Sequence, residues 1–291
     1  MPRILIAGCG YIGQATADLF HAAGWAVEGW TRSAQSAATL AAKPYLVRDV
    51  DISEPAQVAK CVGTFDAMIH CASSRGGDVE MYRRIYLDGA CNLLENFPGP
   101  QLLFMSSTSV YAQRDGSCVT EESETKPLRE TSRVILEAER EVLNRGGIVA
   151  RLAGIYGPGR SALLNKLLAG TAIIDPENDR FVNQVHRDDI AAALFVLVNQ
   201  EAKGAQIYNV VDDQPIPQSE CYRWLAQRLN RPLPPIGMSS QQRKRGESNK
   251  RVSNAKLRRL GWAPQYPTFA EAMEKSILPS FAEVISTHTQ R

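Results

Sequence analysis

Short apolar runs separated by helical patterns dominate the first half of the sequence. These runs lie at 3–8, 26–30, 45–50, 67–72, 102–106 and 147–152, and a later run lies at 207–211. Between the first two runs, residues 13–24 have a helical pattern that ends at Gly24. Buried strands that alternate with helices form βαβ units, whose parallel sheets are covered on both faces. The sequence therefore predicts a parallel sheet flanked by helices, with right-handed crossovers.

The C-terminal part of the chain has a different pattern. Residues 214–267 contain seven prolines, with helical stretches such as 219–230 between them. Proline removes a ladder hydrogen bond, so this part is not expected to extend the sheet. We expect a smaller, mostly helical C-terminal lobe. The predicted division is a nucleotide-binding domain of residues 1–155 plus about 181–213, and a substrate-binding lobe of about 156–180 plus 214–291.

The composition excludes several classes of protein. With 291 residues, 44% of them hydrophobic, the chain suits one large or two closely joined globular domains. It has no apolar run of the roughly 18–20 residues that span a bilayer, and its apolar N-terminus continues into glycines rather than a cleavage site. The six cysteines are scattered without a C-x-x-C pair, which argues against disulfides and a metal site and favours a cytoplasmic location.

The stretch "GCGYIG" carries the clearest functional signal. It places Gly8, Gly10 and Gly13 in G-x-G-x-x-G spacing, directly after the first strand and at the start of a helix. Such glycines allow a tight turn, a close approach of the backbone to a diphosphate, and close packing of the helix on the strand. The helix start then offers free N–H groups to phosphates. The spacing and its context predict a dinucleotide site.

The end of the second strand bears on the choice of nucleotide. This strand continues as "EGWTRS", which puts Arg32 and Ser33 where an NAD-binding fold usually has an acidic residue for the ribose. Arg32 could pair with the 2′-phosphate of NADP. Glu28 is a rival that would favour NAD. We expect NADP, with NAD as the alternative.

Several further motifs follow the glycine loop along the chain. They are "RDVDIS" (48–53), "IHCASS" (69–74), "SSTSVYA" (106–112), "RLAGIYGPGR" (151–160), "NQVHRDDIAAAL" (183–194), "IYNVVDDQP" (207–215) and "KRVSNAKLRRLGW" (250–262). Together with the glycine loop, they resemble the extended and atypical short-chain dehydrogenases/reductases, which include NAD(P)-dependent epimerases and dehydratases. The resemblance covers almost the whole chain and implies a doubly wound α/β Rossmann sheet.

The resemblance also implies roles for individual residues. Tyr11 and Ile12 would complete the cofactor loop, and Asp51 and Ile52 would lie by the adenine. Three residues at the end of the fourth strand would line the cofactor: Cys71, Ala72 and Ser73. The catalytic hydroxyl of the family matches Ser107, whose role would be to hydrogen-bond a substrate carbonyl or alcohol.

The second half of the family's catalytic site is missing. The general acid–base of the family is the tyrosine of Y-x-x-x-K, whose lysine lowers the pKa of the tyrosine. The corresponding stretch 126–143 offers Thr131 and Ile135, or Arg129 and Arg133 after a two-residue shift. Three explanations stay open: Tyr111 acts as acid–base beside one of these arginines, water or the substrate handles the proton, or the protein binds its cofactor without chemistry.

Other charged residues are candidates for ligand contacts. Arg160, in the turn "YGPGR", could reach an anionic substrate, and Lys250 or Arg251 could contact a substrate phosphate. Residues 241–260 contain eight basic residues and one acidic residue, but no interleaved aromatics, so nucleic-acid binding is not expected. In "NQVHRDDIA" the aspartates suit a helix N-terminus, which we prefer over catalysis by His186.

These observations predict an NADP-dependent oxidoreductase or an epimerase/dehydratase-like enzyme. Its substrate would be a small polar carbonyl or a sugar-derived compound, held by Ser107 and with Tyr111 as the candidate proton carrier. The alternative is a catalytically silent NADP(H)-sensing binding protein. No nucleic-acid or membrane partner is expected, and the chain would be a monomer or a homodimer.

Overall fold

The computed structural model describes residues 1–61, 63–74, 76–201, 204–238 and 248–281. The strands are β1 (Arg3–Ala7), β2 (Ala26–Thr31), β3 (Leu46–Asp49), β4 (Ala67–His70), β5 (Gln101–Ser107), β6 (Cys118–Val119), β7 (Ile148–Leu152), β8 (Gly154–Tyr156), β9 (Phe181–Val182), β10 (Gln184–His186), β11 (Gln206–Val210), β12 (Ile216–Pro217) and β13 (Arg251–Val252). The helices are α1 (Tyr11–Ala22), α2 (Ala34–Ala38), α3 (Pro55–Val58), α4 (Val79–Tyr82), α5 (Gly89–Asn96), α6 (Glu130–Asn144), α7 (Ala162–Leu168), α8 (Arg187–Asn199), α9 (Gln218–Arg228), α10 (Ala255–Arg258) and α11 (Phe269–Ala272).

Seven strands form one parallel sheet in the order β11-β7-β5-β4-β1-β2-β3. All neighbouring pairs in it run parallel. Every residue of the inner strand β4 is buried, whereas no residue of the edge strand β3 is. Inner strands of a covered parallel sheet read as continuous apolar runs, which is why the seven predicted strands could be recognised. The predicted parallel sheet is confirmed.

The strand order reverses at β1, which has β2 on one side and β4 on the other. The chain builds the sheet outward in one direction through β3 and then returns to add strands on the opposite side. In open α/β sheets, ligands bind outside the carboxyl ends of the strands at such a reversal. The glycine loop follows β1, so the fold puts this loop at the reversal.

Two groups of helices flank the sheet. α1 packs along α8, and α6 packs along the helical stretch that runs from α4 to α5. The stretch contains a π-helical segment, Arg83–Asp88. The predicted doubly wound architecture is therefore observed.

A second apolar core lies outside the sheet. It is built from α7, α9 and α11 with the end of β8, and its most deeply buried members include Tyr156, Leu225 and Phe269. Short two-stranded pairings, β8 with β10 and β9 with β12, connect this region to the rest. The smaller lobe is mostly helical, as expected, while the exact division between the two units stays a prediction. Among the described residues, no helix is both long enough and apolar enough to span a bilayer.

Candidate functional site

The glycine loop is a tight turn held between two strand ends. The N–H groups of Gly8 and Cys9 both donate to the carbonyl oxygen of Trp30, at 3.0 and 2.7 Å. Gly8 has a φ of +105°, a conformation that favours glycine. A Cβ at Gly8 would lie 2.2 Å from the backbone nitrogen of Ala72. The first glycine therefore lets the loop after β1 touch the chain after β4.

The other two glycines serve different purposes. A Cβ at Gly13 would lie 2.2 Å from the carbonyl oxygen of Gly8, so any larger residue would push α1 away from the loop. A Cβ at Gly10 would meet no protein atom within 4 Å. No side chain caps the start of α1 at Gly10. The packing of the described residues therefore does not require a glycine at position 10. The start of α1 has no side-chain cap, and its N–H groups fit the diphosphate of a dinucleotide.

The residues expected to line the cofactor after β4 lie next to this loop. The Cys71 N–H donates to the carbonyl oxygen of Ala7 at 2.7 Å, which extends the pairing of β4 with β1. Cys71 is buried, Ala72 is half-buried and Ser73 is exposed. Burial raises the pKa of the Cys71 thiol, so this cysteine is a packing group rather than a nucleophile. The exposed edge here is formed by Ala72 and Ser73.

The chain after β3 forms a second wall. The Asp51 carboxylate accepts hydrogen bonds from the backbone and the hydroxyl of Ser53, at 3.0 and 2.8 Å. Ile52 is buried and its carbonyl oxygen accepts from the Asn92 side chain at 2.8 Å. Asp51 thus fixes its own turn, and Ile52 anchors that turn to α5. Their predicted position by the adenine stays a prediction.

Arg32, the residue expected to distinguish NADP from NAD, follows the end of β2. Arg32 is exposed there, and the Ser33 hydroxyl caps α2 by accepting from the Ser36 N–H at 3.3 Å. The rival Glu28 is buried within β2. Its carboxylate accepts from the Trp30 indole at 2.9 Å and lies 3.2 Å from the Arg48 guanidinium. Internal contacts therefore engage Glu28, whereas Arg32 faces solvent.

Ser107 ends β5 at the same edge of the sheet. His70 of β4 lies opposite Phe104 of β5, so the segments that follow these two strands lie side by side. The Ser107 oxygen accepts from the Ser109 N–H at 3.1 Å, which leaves its hydroxyl hydrogen to donate to another oxygen. The half-exposed Ser107 hydroxyl can therefore polarise a carbonyl group.

Tyr111 points into the core instead of toward this edge. Only 1% of its surface is exposed. Its hydroxyl donates to the Asn209 side-chain oxygen at 2.9 Å and accepts from the Arg151 guanidinium at 2.9 Å. Burial raises the pKa of the phenol, although Arg151 acts in the opposite direction. This geometry favours a structural role for Tyr111. The cation that contacts its hydroxyl is Arg151 rather than Arg129 or Arg133.

Arg151 belongs to a buried polar network that links several strands to α6. Its guanidinium pairs with Glu139 of α6 at 2.7 Å, and the exposed fractions of the two side chains are 4% and 1%. Glu139 also accepts a hydrogen bond from the hydroxyl of Ser106. The pairing of Arg151 with Glu139 could not be read from the sequence, because two charges twelve positions apart give no local pattern.

Helix α6 has neither a tyrosine nor a lysine. Its contact with the chain after β5 is made by Ser132, whose hydroxyl donates to the Ser109 hydroxyl at 3.0 Å. Ile135, one turn later, is buried, and Thr131 is half-buried. The tyrosine–lysine pair is therefore absent from the sequence of this helix, and its consequence for the chemistry stays a prediction.

Tyr86 is a phenol at this edge that sequence reasoning missed. It lies in the π-helical segment, its hydroxyl donates to the Ser73 hydroxyl at 3.4 Å, and burial raises its pKa. Its ring is stacked on the buried His70 with a centroid distance of 6.3 Å. A π-helical turn breaks the 3.6-residue period, so the direction of Tyr86 could not be read from the sequence.

The candidate substrate cations do not form one cluster. The Arg160 guanidinium lies 5.4 Å from the centre of the Tyr11 ring, beside the glycine loop. Lys250 is buried, its ammonium donates to the Tyr111 carbonyl oxygen at 2.8 Å, and burial lowers its pKa to about 8. The exposed Arg251 donates to the Gly116 carbonyl oxygen at 2.8 Å. Of the basic segment 241–260, residues 241–247 lie outside the described residues.

The helix N-terminus predicted at Asp188 and Asp189 is observed, with one difference. Asp188 and Asp189 lie in the first turn of α8, but the cap is the His186 ring, which accepts from the Asp188 N–H at 3.2 Å. The Asp189 carboxylate instead accepts from the backbone of Gln265 and Tyr266, at 2.6 and 3.1 Å. This segment therefore ties α8 to the C-terminal part of the chain.

A parallel sheet with a glycine loop at its reversal defines a Rossmann-type α/β protein, and comparisons with known proteins identify the family. The sequence model of the NAD dependent epimerase/dehydratase family matches residues 4–210. Protein YeeZ of Escherichia coli strain K12 is 30% identical over 226 residues, which are 72% of this chain and 77% of YeeZ. The chain belongs to the NAD-dependent epimerase/dehydratase family.

Solved structures agree with this assignment. A protein of Methylobacillus flagellatus, assigned provisionally as an NAD-dependent epimerase/dehydratase, is 28% identical, with a TM-score of 0.79 over 97% of this chain and 99% of that one. A UDP-glucose 4-epimerase of Thermotoga maritima, solved with UDP-glucose, has a TM-score of 0.83 at 15% identity, over 97% of this chain and 99% of that one. At that identity the likeness shows the fold alone.

Proposed function

We propose that this protein is an NADP-dependent oxidoreductase or epimerase-like enzyme that acts on a small polar carbonyl or sugar-derived compound. The observation that carries the proposal is the pairing of two features at one sheet edge. The glycine loop presents a bare helix start at Gly10, and the Ser107 hydroxyl ends β5 with its hydrogen free to donate. Membership of the epimerase/dehydratase family supports the same class of chemistry.

The residues of the chain would divide the work as follows. Gly8 to Gly13, with Tyr11 and Ile12, would hold the dinucleotide, and Arg32 would take the 2′-phosphate. When bound, the nicotinamide ring supplies hydride transfer to or from a carbon atom. Ser107 would donate a hydrogen bond to the oxygen on that carbon and so stabilise negative charge that develops there.

The proton has no tyrosine–lysine pair to carry it. Because the Tyr111 hydroxyl is engaged in the core, we propose that water or the substrate supplies the proton at the Ser107 hydroxyl. A simple carbonyl reduction tolerates this arrangement better than a reaction that needs a strong base, since solvent can protonate an alkoxide. Reduction of a carbonyl therefore suits these residues better than proton abstraction from carbon.

A catalytically silent NADP(H)-sensing protein is the second candidate. Two observations favour it: α6 lacks both the tyrosine and the lysine, and the Tyr111 hydroxyl has two buried partners. Such a protein would still bind the cofactor at the glycine loop. It would differ from the enzyme in leaving the bound nicotinamide unchanged.

The first experiment is a calorimetric titration of the purified protein with NADPH and with NADH. Tight binding of NADPH and weak binding of NADH would support the proposed cofactor. The NADPH complex is then mixed with a panel of small aldehydes, ketones and nucleotide-linked keto sugars while nicotinamide absorbance is followed. Turnover that is lost in Ser107→Ala, with NADPH affinity unchanged, supports the enzyme.

Two outcomes contradict the proposal. Turnover that is unchanged in Ser107→Ala removes the assigned role of this hydroxyl. The sensor is supported instead if NADPH binds tightly and changes the conformation of the protein, but no compound in the panel oxidises the bound NADPH. If neither nucleotide binds, both candidates fail.

A further inference from the structure

Tyr11 is the meeting point of three separate segments of the chain. It is the first residue of α1, and its hydroxyl donates to the Pro158 carbonyl oxygen at 3.0 Å. A Cβ at Gly157 would lie 2.6 Å from the same hydroxyl oxygen, so the turn after β8 is shaped around this side chain. The third segment is the start of α8, which contributes Arg187.

Two guanidinium groups lie over the Tyr11 ring. The central carbon of Arg160 is 5.4 Å from the ring centroid, and that of Arg187 is 5.3 Å from it. Cation–π attraction operates at these distances, and arginine is its more frequent cationic partner in proteins. One ring thus holds two positive charges, and attraction to a nearby anion would offset their mutual repulsion.

The protein supplies only part of the compensating charge. The Arg187 Nε donates to the Asp188 carboxylate at 2.8 Å. Arg160 is exposed, and within the described part of the chain no carboxylate forms an ion pair with it. The cluster of Tyr11, Arg160 and Arg187 therefore has an excess of positive charge. It lies directly at the uncapped start of α1, where the helix adds its own partial positive charge.

This arrangement suits an anionic ligand group with several acceptor oxygens, which can bond to both guanidiniums at once. Guanidinium forks match phosphate oxygens in geometry, and two forks from different segments can grip neighbouring phosphates. The diphosphate of a dinucleotide has these properties and, in a fold of this kind, binds at the start of the helix that follows the glycine loop.

We propose that Arg160 and Arg187 clamp the diphosphate of the nicotinamide dinucleotide at the start of α1, with the Tyr11 ring as the platform that positions both guanidiniums. The inference rests on the proposed function, since that function supplies the cofactor. It assigns Arg160 to the cofactor and adds Arg187, which sequence reasoning did not select. Binding would fasten the turn 157–160 and the start of α8 to the glycine loop.

The test measures binding and needs no substrate. Arg160→Gln, Arg187→Gln and the double variant are titrated by calorimetry with NADPH, NADH and ADP-ribose, which carries the diphosphate without nicotinamide. Arg145→Gln, a change at the exposed C-terminal end of α6, is the matched control. We expect each single variant to lose about tenfold in affinity for ADP-ribose and for whichever of NADPH and NADH binds the wild-type protein more tightly. The double variant should lose about a hundredfold, because two sets of charge-assisted hydrogen bonds are removed.

A second readout separates the clamp from a general structural effect. Affinity for ADP-ribose should fall with added salt, and this dependence should become weaker in the double variant because fewer charges meet the diphosphate. Arg160→Glu, a charge reversal at an exposed position, should weaken binding further without lowering the thermal midpoint.

The outcomes distinguish this inference from the proposed function. If the wild-type protein binds NADPH or NADH and the double variant binds ADP-ribose equally well, the clamp is wrong while the proposed function stands. If the wild-type protein binds neither cofactor nor ADP-ribose, both are wrong. An equal loss in Arg145→Gln also contradicts the clamp.

Discussion

The three glycines of the loop differ in what would happen if each gained a single methyl group. Gly13→Ala would place a Cβ 2.2 Å from the Gly8 carbonyl oxygen, whereas Gly10→Ala would meet no protein atom within 4 Å. We expect Gly13→Ala to lower the thermal midpoint by several degrees, since overpacking costs about 1–3 kcal/mol. Gly10→Ala should leave the midpoint unchanged and weaken NADPH binding at least about tenfold.

Thermal unfolding and calorimetry of both glycine variants check this pair of expectations. The wild-type protein is the control, and Gly10→Ala controls for the effect of adding a methyl group to the loop. Unchanged NADPH affinity in Gly10→Ala would show that no ligand approaches the backbone at this glycine.

Arg32 is the residue at which cofactor preference is expected to be decided. It is exposed at the end of β2, while its rival Glu28 is buried with the Trp30 indole and the Arg48 guanidinium. Arg32→Ala should weaken NADPH binding about tenfold or more and leave NADH binding nearly unchanged, because only NADPH has a 2′-phosphate. Parallel titrations with both nucleotides measure this. An equal loss for the two would place Arg32 elsewhere on the nucleotide.

At the scale of secondary-structure elements, the buried network of Tyr111, Arg151 and Glu139 joins β7 and α6 to the chain after β5. Removing one charge leaves the other buried and unpaired, which is more costly than losing the pair. Arg151→Met should therefore lower the free energy of unfolding by about 3–5 kcal/mol. The double variant Arg151→Met/Glu139→Leu should recover a large part of that loss, as measured by urea unfolding.

The same network gives an expectation for Tyr111. Tyr111→Phe removes the hydrogen bonds to Asn209 and Arg151 and should lower the free energy of unfolding by about 1–2 kcal/mol. NADPH affinity should not change, because the hydroxyl does not reach the sheet edge. A fully stable Tyr111→Phe protein without turnover would instead make Tyr111 the proton carrier.

For the whole molecule, the buried His70 predicts how stability depends on pH. It is fully buried, and burial lowers its pKa from 6.5 to about 4. The unfolded chain therefore binds a proton between these values while the folded protein does not, so stability falls as pH decreases from 6.5 toward 4. The loss from this group should approach about 1.4 kcal/mol for each pH unit in that window.

Urea unfolding between pH 7 and pH 5 tests the histidine effect, with His70→Gln as the variant. We expect a smaller decrease in the variant than in the wild-type protein. His186 acts in the same direction, since burial lowers its pKa to about 4, whereas burial raises the pKa of Asp189 to about 6 and has the opposite effect. If the unfolding free energy of His70→Gln depended on pH as strongly as that of the wild-type protein, the His70 ring would be protonated in the folded state over this pH range.

The sequence by itself determined the sheet and the glycine loop. Inner parallel strands are buried on both faces, so β1, β4 and β5 had to be continuous apolar runs, and such runs are legible without a structure. The glycine spacing is equally local, because each of its requirements concerns backbone within a few residues or at the adjoining strand end. The lack of a tyrosine and a lysine in α6 is likewise a fact of the sequence.

Only the tertiary structure decided where the polar side chains point. Tyr111 comes shortly after Ser107, the predicted catalytic hydroxyl, yet its own hydroxyl meets Arg151 and Asn209, which are 40 and 98 positions away. Tyr11 meets Pro158 across 147 positions, and the turn that contains Pro158 also places Arg160 over the Tyr11 ring. A contact between distant positions depends on how strands and helices pack, and no local period or propensity encodes it.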